Sequence, residues 1–223
     1  MTTISNIYIK NLIINNDPDK YREILSSKIN QSDSYKVLDK TLKYNISSDF
    51  YNILFDAIIN GNIHMDKLSI EIISLHKNIN FIKKLITSDY LSTELEYEFL
   101  SYFIYYDNIE MVELLFKKGL DPNYKNGKLF RSACNSRSEK ILKLFFDYGY
   151  EINYQNKIFI KGIKYLIRYK KIKYLKLLNS YGIDLSFINN VKIKIYDHDK
   201  EYMDFLLSSG IELENIIKIL MDL

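Results

Sequence analysis

The sequence predicts an all-α helical solenoid, and three observations carry that expectation. One phrase recurs four times: IEMVELLFKKGLDPN at 109–123, EKILKLFFDYGYEIN ending at Asn153, IKYLKLLNSYGIDLS ending at Ser186 and KEYMDFLLSSGIELE ending at Glu214. Its glycines, Gly119, Gly149, Gly182 and Gly210, stand 30, 33 and 28 residues apart. Self-similarity at a period of that size marks repeated, stacked units. Turn formers are scarce, with 7 glycines and 2 prolines in 223 residues, too few for the tight hairpins of a sandwich or barrel. Apolar residues make up 47% of the chain, enough for a sizeable core and too many for a disordered one.

Up to about residue 60 the pattern is least regular, and two or three helices are expected to begin the stack. Asp17, Pro18 and Asp19 read as a helix start, with an N-cap and a proline in the first turn, followed by Tyr21, Ile24 and Leu25 at helical spacing. Ser47, Ser48 and Asp49 read as another start, leading through Phe50, Ile53, Leu54, Ala57 and Ile58 to a stop at Gly61. From residue 68 the pattern settles into pairs of short helices. These are 68–77 with 79–87, 95–106 with 109–118, 128–136 with 139–148, and 158–169 with 172–181. Asp89 lies 30 residues before Gly119 and fits the register without the glycine. Residues 213–223 are expected to form a last helix that covers the open end.

The glycine after each second helix has a physical role. A helix that must stop and reverse commonly places its C′ residue in the left-handed region, where glycine has no Cβ penalty. Asp121, Glu151 and Asp184 two positions later, and Asn123 and Asn153 four positions later, suit turns through local side-chain bonds to backbone. Each helix pair has apolar stripes that only the next pair can bury.

These residues resemble the ankyrin repeat family. The stretch 113–123, with its leucines, Gly119, Asp121 and Asn123, is similar to that family's second helix and loop, and Ala133 with Cys134 occupies the place of the small pair in its first helix. The resemblance covers roughly 68–223 and fits more loosely before it. It implies one solenoid over 1–223 of about six to seven helix-turn-helix repeats: an irregular part at 1–67, recognisable repeats at 68–212 and a capping helix at 213–223. The family's Thr-Pro-Leu-His opening is missing from every copy, and Phe103-Ile104 and Leu166-Ile167 replace the small pair, so those helices are expected to sit differently in a looser stack. The excess of Ile, Lys, Asn and Tyr suggests an AT-rich source, and such divergent repeats resemble those of large DNA viruses, the giant amoebal ones more than the poxviral ones.

No catalytic constellation stands out. His64, His76 and His198 lack Cys or carboxylate neighbours at metal-ligand spacing, and no phosphate-cradling glycine loop or nucleophile elbow occurs. Cys134, the only cysteine, reads as a buried structural thiol and excludes an internal disulfide framework. The chain is therefore expected to be non-enzymatic, with no cofactor or metal. It opens with no basic-then-apolar leader and its longest nearly apolar run, 99–106, is far short of a membrane span of about 20 residues. A monomeric intracellular protein is expected, in the host cytoplasm if the source is viral.

If the family's geometry holds, the exposed side of each first helix lines a groove. That side carries Tyr102, Tyr105 and Tyr106, and two repeats on Tyr165, Arg168 and Tyr169, with Ser132, Asn135 and Ser136 between. Tyrosine is a favoured interface anchor, so the surface implies a protein partner, a host protein if the chain is viral. The plainer reading is that tyrosine, with 20 copies, simply fills half-buried positions. Charge is also segregated. Residues 89–115 hold seven acids and no base, whereas 157–176 hold eight bases and no acid, with Lys161, Lys164 and Arg168 on one helix face. That basic segment leaves open an alternative, binding to nucleic acid or another anionic surface, beside the bland reading of a solvated face. A net charge of +3 alone is too weak to argue for nucleic acid.

Overall fold

The computed structural model describes residues 4–44, 47–76, 78–190 and 200–212. Among them every regular element is helical, and no strand occurs. The helices gather into two compact units, 1–102 and 103–223. The expected capping helix at 213–223 lies outside the described residues.

The first unit holds α1 (Asn6–Ile14), α2 (Pro18–Leu25), α3 (Gln31–Lys43), α4 (Ser48–Ile59), α5 (Lys67–Leu75) and α6 (Ile79–Ile86). Packing follows two rows. Helix α3 lies between α1 and α5, and α4 lies between α2 and α6. Their shared core includes Ile9, Tyr21, Val37, Leu38, Phe50, Leu54, Ile58, Ile73, Ile82 and Leu85, all buried. Of the two starts expected from sequence, Asp17 caps α2 through its side chain, whereas Ser47 precedes α4 without a side-chain cap bond. The Asp17 carboxylate accepts from Lys20 N–H at 3.1 Å, and Asn30, Asp66 and Asn78 cap α3, α5 and α6 in the same way.

Before residue 60 there are four helices, where the sequence suggests two or three. The physical reason is clearest in α3. Its inward face carries Asp33, Ser34 and Thr41, all buried, so the apolar period is diluted. Each polar group has a partner, as burial requires. Asp33 accepts from Ile4 N–H and from the amide of Asn30, and Lys36 Nζ lies 2.8 Å from it. The Ser34 hydroxyl accepts from His64 N–H at 2.9 Å, and Thr41 shares a 2.5 Å hydrogen bond with the Tyr21 hydroxyl.

Helix α7 (Thr93–Tyr105) contains the boundary between the units. The second unit continues with α8 (Ile109–Lys117), a single turn α9 (Tyr124–Gly127), α10 (Phe130–Asn135), α11 (Glu139–Asp147), α12 (Lys157–Arg168), α13 (Ile172–Ser180), a 3-10 turn (Leu185–Asn190) and α14 (Lys200–Ser208). Again two rows form: α10 packs on α12, while α11 lies between α8 and α13. Rings fill this core. Phe130 stacks on Tyr150 at 4.3 Å and on Phe159 at 5.3 Å, and Phe145 meets Phe116 edge-on at 5.2 Å.

The recurring phrase ends as expected. After α8, Gly119 is left-handed (φ 108°); its N–H reaches the Phe116 carbonyl, and Leu120 N–H reaches Leu115. That pair of bonds is the Schellman closure, which satisfies carbonyls left over at a helix end. The same two bonds close α4 at Gly61, α11 at Gly149, α13 at Gly182 and α14 at Gly210. Asp89 is left-handed as well (φ 54°). Three first helices close in this way without glycine, at Asn16, Asp107 and Lys170.

Two features depart from expectation. Asn123 does not bond locally through its side chain alone; it reaches the next loop, where Nδ2 donates to the Gly149 carbonyl at 3.0 Å and Oδ1 accepts from Glu151 N–H at 2.8 Å. Asn189 repeats this bridge on Gly210 and Glu212. Asp121 and Asp184 do bond locally, to the N–H groups of Asn123 and Ser186. The small residue that lets α12 approach α10 is Gly162, where an added Cβ would lie 2.9 Å from Cys134 Sγ and from a Phe130 ring carbon.

Candidate functional site

Helix α12 places the most distinctive surface of the second unit. Asn156 caps its start by accepting from Ile158 N–H at 2.8 Å, and the helix runs to Arg168. Phe159, Gly162, Ile163, Leu166 and Ile167 are buried and form its inner face. Lys157, Lys161, Lys164 and Arg168 recur at i, i+4, i+7 and i+11, which confines them to about 60° of arc on the opposite face of a helix turning about 100° per residue. Lys157 and Lys161 are exposed, and Lys164 and Arg168 half-buried. Among the described residues no carboxylate lies within ion-pair reach of Lys157, Lys161 or Lys164.

Tyr165 and Tyr169 flank this stripe with ring centroids 4.6 Å apart. Burial, then the neighbouring Tyr169 and Cys134, push the Tyr165 hydroxyl above its ordinary pKa. Tyr169 is 52% exposed.

The other anticipated rings form a separate pair. Tyr105 is 75% exposed, more than any other large apolar or aromatic side chain described, and meets Tyr106 edge-on at 4.9 Å. Tyr102 is half-buried and belongs to the first unit, whereas Tyr105, Tyr106, Tyr165, Arg168 and Tyr169 belong to the second. The rings of Tyr165 and Tyr169 touch each other and no ring of the other pair. The expected aromatic walls are therefore two local clusters.

The polar floor between them is partly overturned. Ser132 and Asn135 are exposed, but Ser136 is buried, its hydroxyl donating to the Ala133 carbonyl at 2.7 Å. The Ser136 carbonyl accepts from the buried Tyr174 hydroxyl at 2.7 Å, and Tyr202 on α14 donates to the Ile167 carbonyl at 2.5 Å in the same way. At these positions tyrosine is a core residue with a polar tip, as the plainer reading of its abundance has it.

The acidic stretch is largely engaged. Glu113 pairs with Lys117 at 2.6 Å, Glu98 with Lys67 at 3.4 Å, the Asp107 carboxylate accepts from Arg137 N–H at 2.7 Å, and Glu96 is buried. Its Asp107, Glu110 and Glu113 lie in the second unit, with α12.

His64 and His76 each meet one carboxylate, Asp66 at 3.3 Å and Asp39 at 3.1 Å, a contact their spacing does not announce. His198 lies outside the described residues. Among the described residues no three metal-ligating side chains converge. Burial raises the Cys134 thiol well above its ordinary pKa, which disfavours the thiolate a nucleophile needs. A cleft of about 760 Å³ opens in the first unit beside Ile4, Tyr8, Glu23 and Asp33, but the Asp33 carboxylate is committed to the backbone and Lys36 bonds described above. No described helix is long and apolar enough to cross a membrane.

No protein-family model matches the chain, and neither a curated protein nor a solved structure does so.

Proposed function

We propose that the chain is a non-enzymatic protein-interaction module, an ankyrin-type solenoid of about six to seven repeats whose first helices and loops meet a partner protein. The observation that carries this reading is the register of the closures. Schellman bonds at Gly119, Gly149, Gly182 and Gly210 recur at near-constant spacing, and amide bridges tie the loop of Asn123 to that of Gly149. Such units bury their cores against neighbours, which leaves the outward faces of first helices free to vary. The exposed rings of Tyr105, Tyr106 and Tyr169 then serve as anchors. In a viral source the partner is a host protein.

The test is affinity capture with the full chain beside a Tyr165→Ala/Tyr169→Ala variant and a Tyr105→Ala/Tyr106→Ala variant. A protein retained by the wild type and lost by one variant, with unchanged melting temperature, supports the reading. Identical captured sets across all three sink it.

A further inference from the structure

We propose that the outward stripe of α12 docks an extended acidic segment of the partner, a refinement that rests on the interaction reading above. Like charges stacked one turn apart weaken a helix by about 0.2–0.5 kcal/mol per pair, and Lys157, Lys161, Lys164 and Arg168 make three such pairs. Two other surface lysines meet an acid at that spacing, Lys117 with Glu113 at 2.6 Å and Lys143 with Asp147 at 2.5 Å. On α12 the cations stand in a row with no acid between 157 and 176. Lys157 and Lys161 are exposed opposite the buried face of the helix, so their charge is directed away from its own core, while Lys164 and Arg168 are half-buried.

The dimensions favour a peptide. From Lys157 to Arg168 the stripe rises about 16 Å at about 1.5 Å per residue. An extended chain of about five residues covers that length, with alternate side chains about 6.6 Å apart on the side facing the lysines. Tyr165 and Tyr169 border the track and offer an apolar surface with hydroxyl donors. Nucleic acid fits less well, because binding to it grows with the number of phosphates contacted, and this row holds four cations.

The experiment measures fluorescence anisotropy of a labelled peptide of about eight residues, alternating glutamate and leucine, with the full chain. Binding at low salt is expected, with an affinity loss of at least about tenfold in Lys157→Glu/Lys161→Glu/Lys164→Glu and little change in Lys173→Glu/Lys176→Glu on α13. The glutamine version of the peptide should not bind. Equal losses in both charge variants would overturn the proposal, as general basicity would then explain the binding. So would tighter binding of a single-stranded RNA of equal charge, or no peptide binding at all. If a captured protein depends on Tyr165 and Tyr169 yet ignores the α12 charge reversal, this proposal fails while the interaction reading stands.

Discussion

The side-chain amide of Asn123 holds Gly149 by its carbonyl, at 3.0 Å, from 26 residues earlier in the chain. With the Glu151 N–H accepted at 2.8 Å, one amide satisfies a donor and an acceptor of the next loop. Both bonds are exposed to water, so their net contribution is about 1 kcal/mol. Asn123→Ala should lower the urea-unfolding free energy by about that amount. Asn123→Asp should lose at least as much, because it places a carboxylate oxygen against the Gly149 carbonyl. An unaffected aspartate variant would show that the bridge does not matter.

Gly162→Ala is a sharper test of packing. On propensity alone, alanine inside α12 gains about 1 kcal/mol over glycine. Here its methyl meets Cys134 and Phe130 at 2.9 Å, and Phe130 is held between the rings of Tyr150 and Phe159. Overpacking of that kind costs about 1–3 kcal/mol, so the variant should melt lower than the wild type. A higher melting temperature would mean that α10 and α12 separate easily.

Lys170 and Asp107 occupy equivalent left-handed positions, with φ 50° and 56°. Glycine removes the strain of that conformation, and Lys170→Gly should stabilise the chain by less than about 1 kcal/mol, because it also gives up the ammonium's approach to the Tyr202 ring at 5.8 Å. Asp107→Gly should not, because it forfeits the carboxylate that accepts from Arg137 N–H at 2.7 Å. Thermal melts of the two variants should therefore move in opposite directions.

The pH dependence follows from Asp66. Burial opposes its ionisation, but bonds from the Tyr35 hydroxyl, Ser69 N–H and Gln31 outweigh that and hold the carboxyl below its ordinary value of 3.8. A depressed folded-state pKa contributes stability above the ordinary carboxylate range and loses it as pH falls through the folded value. Asp66→Asn should be less stable than the wild type at neutral pH, and the two unfolding curves should converge in acid. Parallel curves down to the lowest measurable pH would rule this out.

How legible all this is in the sequence depends on how local each signal is. The phrase around Gly119 is readable because apolar spacing, glycine and Asp121 all act within one turn. Helix α3 is hidden because Asp33, Ser34 and Thr41 find partners far along the chain, and polar residues on an inner face look like loop. Gly162 carries no periodic signal; its meaning comes from Phe130 and Cys134, which only packing brings to it. Tyr165 and Tyr174 look alike in sequence, and the neighbouring helix decides that one borders the surface while the other is buried. The basic run at 157–176 is plain to read. Its division into a stripe on α12 and separate lysines on α13 needs the helices.

The two buried tyrosines give folding of the second unit a direction in time. Tyr174 donates to a carbonyl made 38 residues earlier, and Tyr202 to one made 35 residues earlier. As the chain leaves the ribosome, the end of α10 has been synthesised well before the hydroxyl that will occupy it, and α12 waits for α14 in turn. Each segment is completed by one not yet translated, so a nascent chain paused between 140 and 170 would display an unfinished edge that a downstream stretch, or a chaperone, has to cover.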